Sequence, residues 1–236
     1  MKPSIKILIF YVLLYLFAVV PLTVALFYGL DFVGYNVKRL ATNLSEIIIA
    51  IQIGITCALS LALMRKHFDF LFGKRLQKDY LRFIKVGMRW TVPLLVLHIM
   101  AFLIPNIREN LIHRYSSIKM ISITDATNVA LILFVILLSM AAIFEEMIFR
   151  GILIQKLLQI TNKTVSIFVS AGLFSLSHLI YSSISLDTLI SSFFVGVLCG
   201  FAYISTGSCL AAFIPHLFNN LMCVGFIWML RYSGVN

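Results

Sequence analysis

The chain has 236 residues, 61% of them hydrophobic and 12% charged, with a formal net charge of +10. With a mean hydropathy of +1.02, this composition excludes an ordinary soluble domain and describes an all-α, polytopic membrane protein. The basic residues gather at the ends of apolar stretches, so topology and anionic lipid account for the charge better than nucleic acid does.

A membrane-crossing helix needs about 20 apolar residues. In chain order that criterion predicts seven spans: 6–29, 44–64, 87–105, 128–158, 163–182, 187–206 and 209–231. The first reads as a retained helix, because no small-residue cleavage site follows a short apolar region. Pro21, Pro93 and Pro215 fall inside spans and predict kinks. Residues 65–86 mix Arg65, Lys66, Lys74, Arg75, Lys78, Arg82 and Lys85 with Phe68, Phe70, Leu71, Phe72, Leu81 and Phe83, a pattern suited to an interfacial amphipathic stretch. With Lys2, Lys6, Lys156 and Lys163 these place eleven basic residues on one face. Lys38, Arg39, Arg108, Arg114, Lys119 and Arg231 place six on the other, which predicts the N-terminus inside and the C-terminus outside. No repeat or soluble domain interrupts 1–236, so one membrane domain is expected, with N-terminal helices over 1–127 and a helical core over 128–231. Cys57, Cys199, Cys209 and Cys223 all lie in apolar stretches and read as small core residues.

The fourth span carries Glu145, Glu146 and Arg150 in a chain with only nine acidic residues. Carboxylates inside apolar sequence cost several kcal/mol and mark paired or reactive sites. Glu146 and Arg150 are i,i+4 with the acid first, the favourable order for a pair, while Glu145 is turned about 100° away and left to face another partner. If spans four and five form a hairpin turning at Gln159-Ile160-Thr161-Asn162, Glu145 and His178 both lie roughly 20–22 Å from the turn. Span seven starts on that same side after Thr206-Gly207-Ser208, which puts Asn220 about 20 Å in and His216 one turn nearer. Alone, His178 reads as a core histidine; beside Glu145 it makes a general-base pair able to activate water. His216 and Asn220, also i,i+4, are donors suited to a developing oxyanion. Arg89 is placed to snorkel, Glu46 to favour a helix dipole, His98 to sit in the core and Ser208 to cap a helix. Gly196 and Gly200 have the spacing of close helix packing. The chain lacks H-E-x-x-H, G-x-G-D and G-x-S-x-G, which argues against three other intramembrane protease chemistries.

Taken in order, Glu145-Glu146-x-x-x-Arg150, Phe174-Ser175-Leu176-Ser177-His178, Gly196-x-x-x-Gly200, Thr206-Gly207-Ser208 and His216-x-x-x-Asn220 resemble the CPBP family. These are the CAAX-processing and bacteriocin-processing membrane proteases, also called Abi proteins and related to the Ras-converting endoprotease. The resemblance spans about 85 residues and is silent on the first 125. It implies a helical membrane fold with a cavity open to the cytosol and peptide-bond hydrolysis by water activated by Glu145 and His178. It also implies that Glu146 holds Arg150, and that His216 and Asn220 stabilise the oxyanion. Family members are often described as metalloproteases, and two His with one or two Glu could ligate zinc. The expectation here is no cofactor, since His216 has an Asn partner and no third strong ligand is required.

The short chain shows no organelle signal, which points to a multi-pass protein of the bacterial cytoplasmic membrane. A peptide or membrane-protein substrate is expected, in bacteriocin or pheromone maturation, immunity or signalling. The rival reading is a non-proteolytic immunity or regulatory protein that binds a histidine kinase or transporter. A proton-relay transporter would show repeat symmetry, and none is visible.

Overall fold

In a computed structural model the described residues are 76–104, 128–178 and 186–232, with scattered helical positions between 51 and 69. The expected first span, the orientation it sets, Glu46 and most of the second span lie outside them. Among the described residues every element is a helix: α1 (Leu76–Leu103), α2 (Asn128–Glu146), a π-helical stretch (Met147–Ile154) closed by an α-helical turn (Gln155–Leu157), α3 (Lys163–Ser177), α4 (Leu186–Thr206) and α5 (Cys209–Tyr232). Three helical segments are long and apolar enough to cross a membrane, Asp79–Leu103, Leu186–Thr206 and Cys209–Phe226, and Lys163–Ser177 is apolar but shorter. Outward faces such as Met88, Val92, Val96, Ile99 and Leu103 of α1 are exposed, as lipid-facing side chains would be.

Three boundaries differ from the sequence reading. The expected span 87–105 begins earlier, at Leu76, so residues 76–86 of the amphipathic stretch are the first turns of α1. The helical period explains this, because Phe83, Gly87 and Leu94 fall on one buried face while Arg82, Lys85 and Arg89 fall on an exposed one. The expected span 128–158 is not one α-helix: after Glu146 the ladder widens into π geometry. Carbonyls there find partners on other helices, the Phe149 oxygen accepting from Ser170 Oγ at 2.9 Å and the Glu146 oxygen from Cys209 Sγ at 3.5 Å. In the expected span 163–182 the α-helix runs Lys163–Ser177 with His178 as its C-cap, and 179–182 lie outside the described residues. Ser177 Oγ donates to the Phe174 carbonyl at 2.7 Å and His178 Nδ1 reaches the same oxygen at 2.9 Å. Side chains thereby take the carbonyl that a further helical turn would need.

The starts and stops follow local chemistry. Asn162 caps α3 by accepting from the Val165 N–H at 2.9 Å. Gly207, at φ 71°, ends α4 in the left-handed conformation while its N–H bonds the Tyr203 carbonyl at 2.6 Å. Ser208 Oγ then accepts from the Leu210 N–H at 3.3 Å and opens α5.

The π-helical stretch sits in the core. Met147, Ile148, Ile152 and Ile154 pack with Leu94 of α1, Val195 and Leu198 of α4, and Ala212 of α5. α3 packs along α4, and α5 lies against α1, α2 and α4. Glycines set the close approaches. A Cβ on Gly196 would lie 3.0 Å from the Cα of Ala171, and one on Gly200 would lie 2.8 Å from Ile167 Cγ2. A Cβ on Gly87 would lie 2.8 Å from the Ala211 carbonyl oxygen, the group that Pro215 leaves without its helical donor. His98 is half-buried, its Nδ1 2.7 Å from the Leu94 oxygen and its ring edge-on to Phe218.

Candidate active site

The four elements around the π-helical stretch bring most of the polar residues named from the sequence to one place. Arg150 is wholly buried and spends its guanidinium on three groups. Nη1 donates to Glu146 Oε1 at 2.9 Å, Nη2 donates to the Gly196 carbonyl at 3.0 Å, and Cζ lies 4.6 Å from the centre of the Phe174 ring. A buried charge needs this kind of enclosure, since losing one partner strands the other. The missing side chain of Gly196 therefore matters twice: it lets α4 approach α3, and it brings a backbone oxygen to the arginine.

The same Glu146 oxygen receives His216 from α5, with Nδ1 2.7 Å away. The other end of that ring faces Glu145: Nε2 and Glu145 Oε2 are 3.5 Å apart. The two glutamates diverge by about 100° on the helix, yet an imidazole has a nitrogen at each end and spans the divergence. Glu145 thus does not look away from its neighbour's partner, since both carboxylates meet His216 from opposite sides. Burial separates them, with the Glu145 side chain 13% exposed and that of Glu146 1%. Glu145 is the carboxylate that a molecule entering the site would reach.

His178 stands at the end of α3, beside Phe174. Its ring lies edge-to-face on Phe174 with centroids 4.7 Å apart, and His216 lies likewise at 5.3 Å. One aromatic ring therefore forms the wall shared by both histidines and Arg150. A carbonyl only accepts, so the contact to Phe174 O requires a proton on His178 Nδ1, and in the neutral ring Nε2 is then the acceptor. Phe174 was visible only as part of a motif. Its period reads as core, and nothing in a linear sequence says that three polar side chains will share its ring.

Asn220 lies one turn beyond His216, and its Nδ2 donates to the Leu138 carbonyl of α2 at 3.3 Å, two turns before Glu145. Both groups assigned to an oxyanion are thus engaged with the protein, His216 by two carboxylates and Asn220 by a backbone oxygen. Further out, Gln155 Nε2 donates to the Tyr203 hydroxyl at 2.6 Å and ties the end of the π-helical stretch to α4. Among the described residues no three His, Cys, Asp or Glu side chains are grouped to hold a metal ion.

Residues 127–222 match the model of one protein family, described as type II CAAX prenyl endopeptidase Rce1-like. No curated relative and no solved structure matches the chain. Every site residue from Glu145 to Asn220 lies within the matched segment, and that segment of this membrane protein is similar to the CAAX protease family that its motifs resemble.

Proposed function

We propose that the protein is an intramembrane endopeptidase that hydrolyses a peptide bond with water activated by Glu145 and His178. The observation that carries this reading is the contrast between the two adjacent glutamates within a peptidase-family segment. Glu146 is sealed against Arg150, while Glu145 is the more exposed of the two and is backed by His216. In the proposed reaction Glu145 takes a proton from water as the oxygen attacks the carbonyl carbon, and His178 Nε2 orients that water. His216 and Asn220 serve the oxyanion and leaving group, which requires Asn220 to turn an N–H from Leu138 toward the substrate. No step passes through a metal. The setting we propose is the bacterial cytoplasmic membrane, with peptide maturation, immunity or signalling as the role.

A farnesylated peptide ending in a CAAX sequence, its unprenylated counterpart and a mixed peptide library are suitable probes. Glu145→Gln and His178→Ala are each expected to abolish cleavage while the protein inserts and accumulates normally. Cleavage surviving in either variant, at wild-type accumulation, removes the water-activation reading. The non-proteolytic alternative predicts that no probe is cut and that a kinase or transporter copurifies with both variants as with the wild type.

A further inference from the structure

Glu146 was read from its spacing as a structural partner for Arg150, but its shortest contact is to His216 Nδ1, 2.7 Å away, against 2.9 Å to Arg150. We propose that Glu146, clamped by Arg150, is a positioning residue that fixes the proton of His216 on Nδ1. Nε2 then becomes the proton-accepting nitrogen turned to Glu145. The proposal rests on the reading that Glu145 is the base for water, and it assigns where that proton goes next.

The argument is one of donors and acceptors. Arg150 has a permanent charge and no acceptor, so the Glu146 oxygen between it and His216 is an acceptor on both sides. His216 Nδ1 must therefore donate, and a contact of 2.7 Å is of charge-assisted length. With Nδ1 protonated, the neutral ring has its lone pair on Nε2. That nitrogen is 3.5 Å from Glu145 Oε2, and the two acceptors share a hydrogen bond only once Glu145 has taken the water proton, when its O–H can donate to Nε2. Phe174, edge-to-face with the ring, presents it only an aromatic surface.

The step balances without a co-reactant. Water oxygen bonds to the carbonyl carbon, the carbonyl π pair moves to oxygen, and the water proton goes to Glu145. Glu145 hands it to His216 Nε2, forming an imidazolium whose Nδ1–H stays on Glu146. The Nε2–H then faces the oxyanion. When the C–N bond breaks, that proton goes to the leaving amine, and both His216 and Glu145 return to their starting states. His216 is thus a donor to the oxyanion only after it has been an acceptor.

The test is the tautomer itself, read by ¹⁵N NMR on the full-length protein with labelled histidine, with the His216 signals assigned by their loss in His216→Gln. The wild type is expected to show Nδ1 protonated and Nε2 bare. Glu146→Gln can keep its oxygen on Arg150 while turning an N–H to the ring, which would flip the proton to Nε2. Its kcat on the farnesylated peptide is expected to fall by about 10⁴-fold with KM little changed, the size seen when the orienting carboxylate of a serine-protease triad is neutralised. Arg150→Lys keeps a cation on Glu146 and is expected to keep the wild-type tautomer. A wild-type ring protonated at Nε2 overturns the proposal, whether or not Glu146→Gln folds. So does a Glu146→Gln protein that flips its tautomer without losing kcat. Failure of the underlying reading looks different, namely undiminished cleavage by Glu145→Gln.

Discussion

At the scale of single residues the site is organised by the difference between two neighbours. Glu145 and Glu146 have the same side chain and adjacent positions, but the π-helical stretch places Arg150 against one of them only. The buried set of Arg150, Glu146 and His216 is expected to be costly to break. Arg150→Ala and Glu146→Ala should each destabilise the protein by about 3–5 kcal/mol, because the remaining charge is stranded in an apolar interior. Thermal unfolding of the purified variants checks this, and wild-type melting in both would show that the pair is not structural. The polar residues were legible in the sequence because charges in apolar sequence are rare and i,i+4 spacing fixes which share a face. Which nitrogen of His216 meets which glutamate was not legible, because it depends on how α5 is rotated against α2. The role of Phe174 was hidden for the same reason.

At the scale of elements, the apolar runs located the helices but not their internal geometry. Hydropathy cannot distinguish an α-helix from a π-helical stretch, so 128–158 read as one span. Nor could it show that Ser177 and His178 would end α3 by bonding the Phe174 carbonyl. Those departures matter because they put Arg150 inside the core and His178 at a helix end. The spacing of Gly196 and Gly200 was legible as a packing device, and the approach of α3 to α4 depends on both positions. Gly196→Val is expected to push α4 off Ala171, at a cost of about 1–3 kcal/mol for overpacking, and to draw the Gly196 carbonyl from Arg150. Cleavage should therefore fall more than stability alone explains, as measured at a temperature where the variant is fully folded. Equal activity per folded molecule would show that the carbonyl contact is dispensable.

At the scale of the whole molecule, a strongly apolar chain forms a helical membrane protein whose described core wraps α1, α3, α4 and α5 around the π-helical stretch. The sequence motifs and the family likeness coincide, because all of the motifs fall within the one matched segment, residues 127–222. Residues 1–126 carry no comparable motif. The charge distribution predicts that the turns at Gln159–Asn162 and Thr206–Ser208 face the cytosol and that the C-terminus faces out. Single cysteines at Gln159 and Asn236 in a cysteine-free background test this: an impermeant maleimide added to intact cells should label only the second, and the reverse pattern would invert the topology. The central claim is hydrolysis by a Glu145-activated water without metal. The most direct measurement is cleavage of the farnesylated CAAX peptide by exhaustively chelated protein in ¹⁸O-labelled water. The account predicts undiminished turnover, one ¹⁸O in the new carboxylate, no stoichiometric zinc, and no product from Glu145→Gln. Loss of turnover on chelation and its return with one zinc per chain would contradict it.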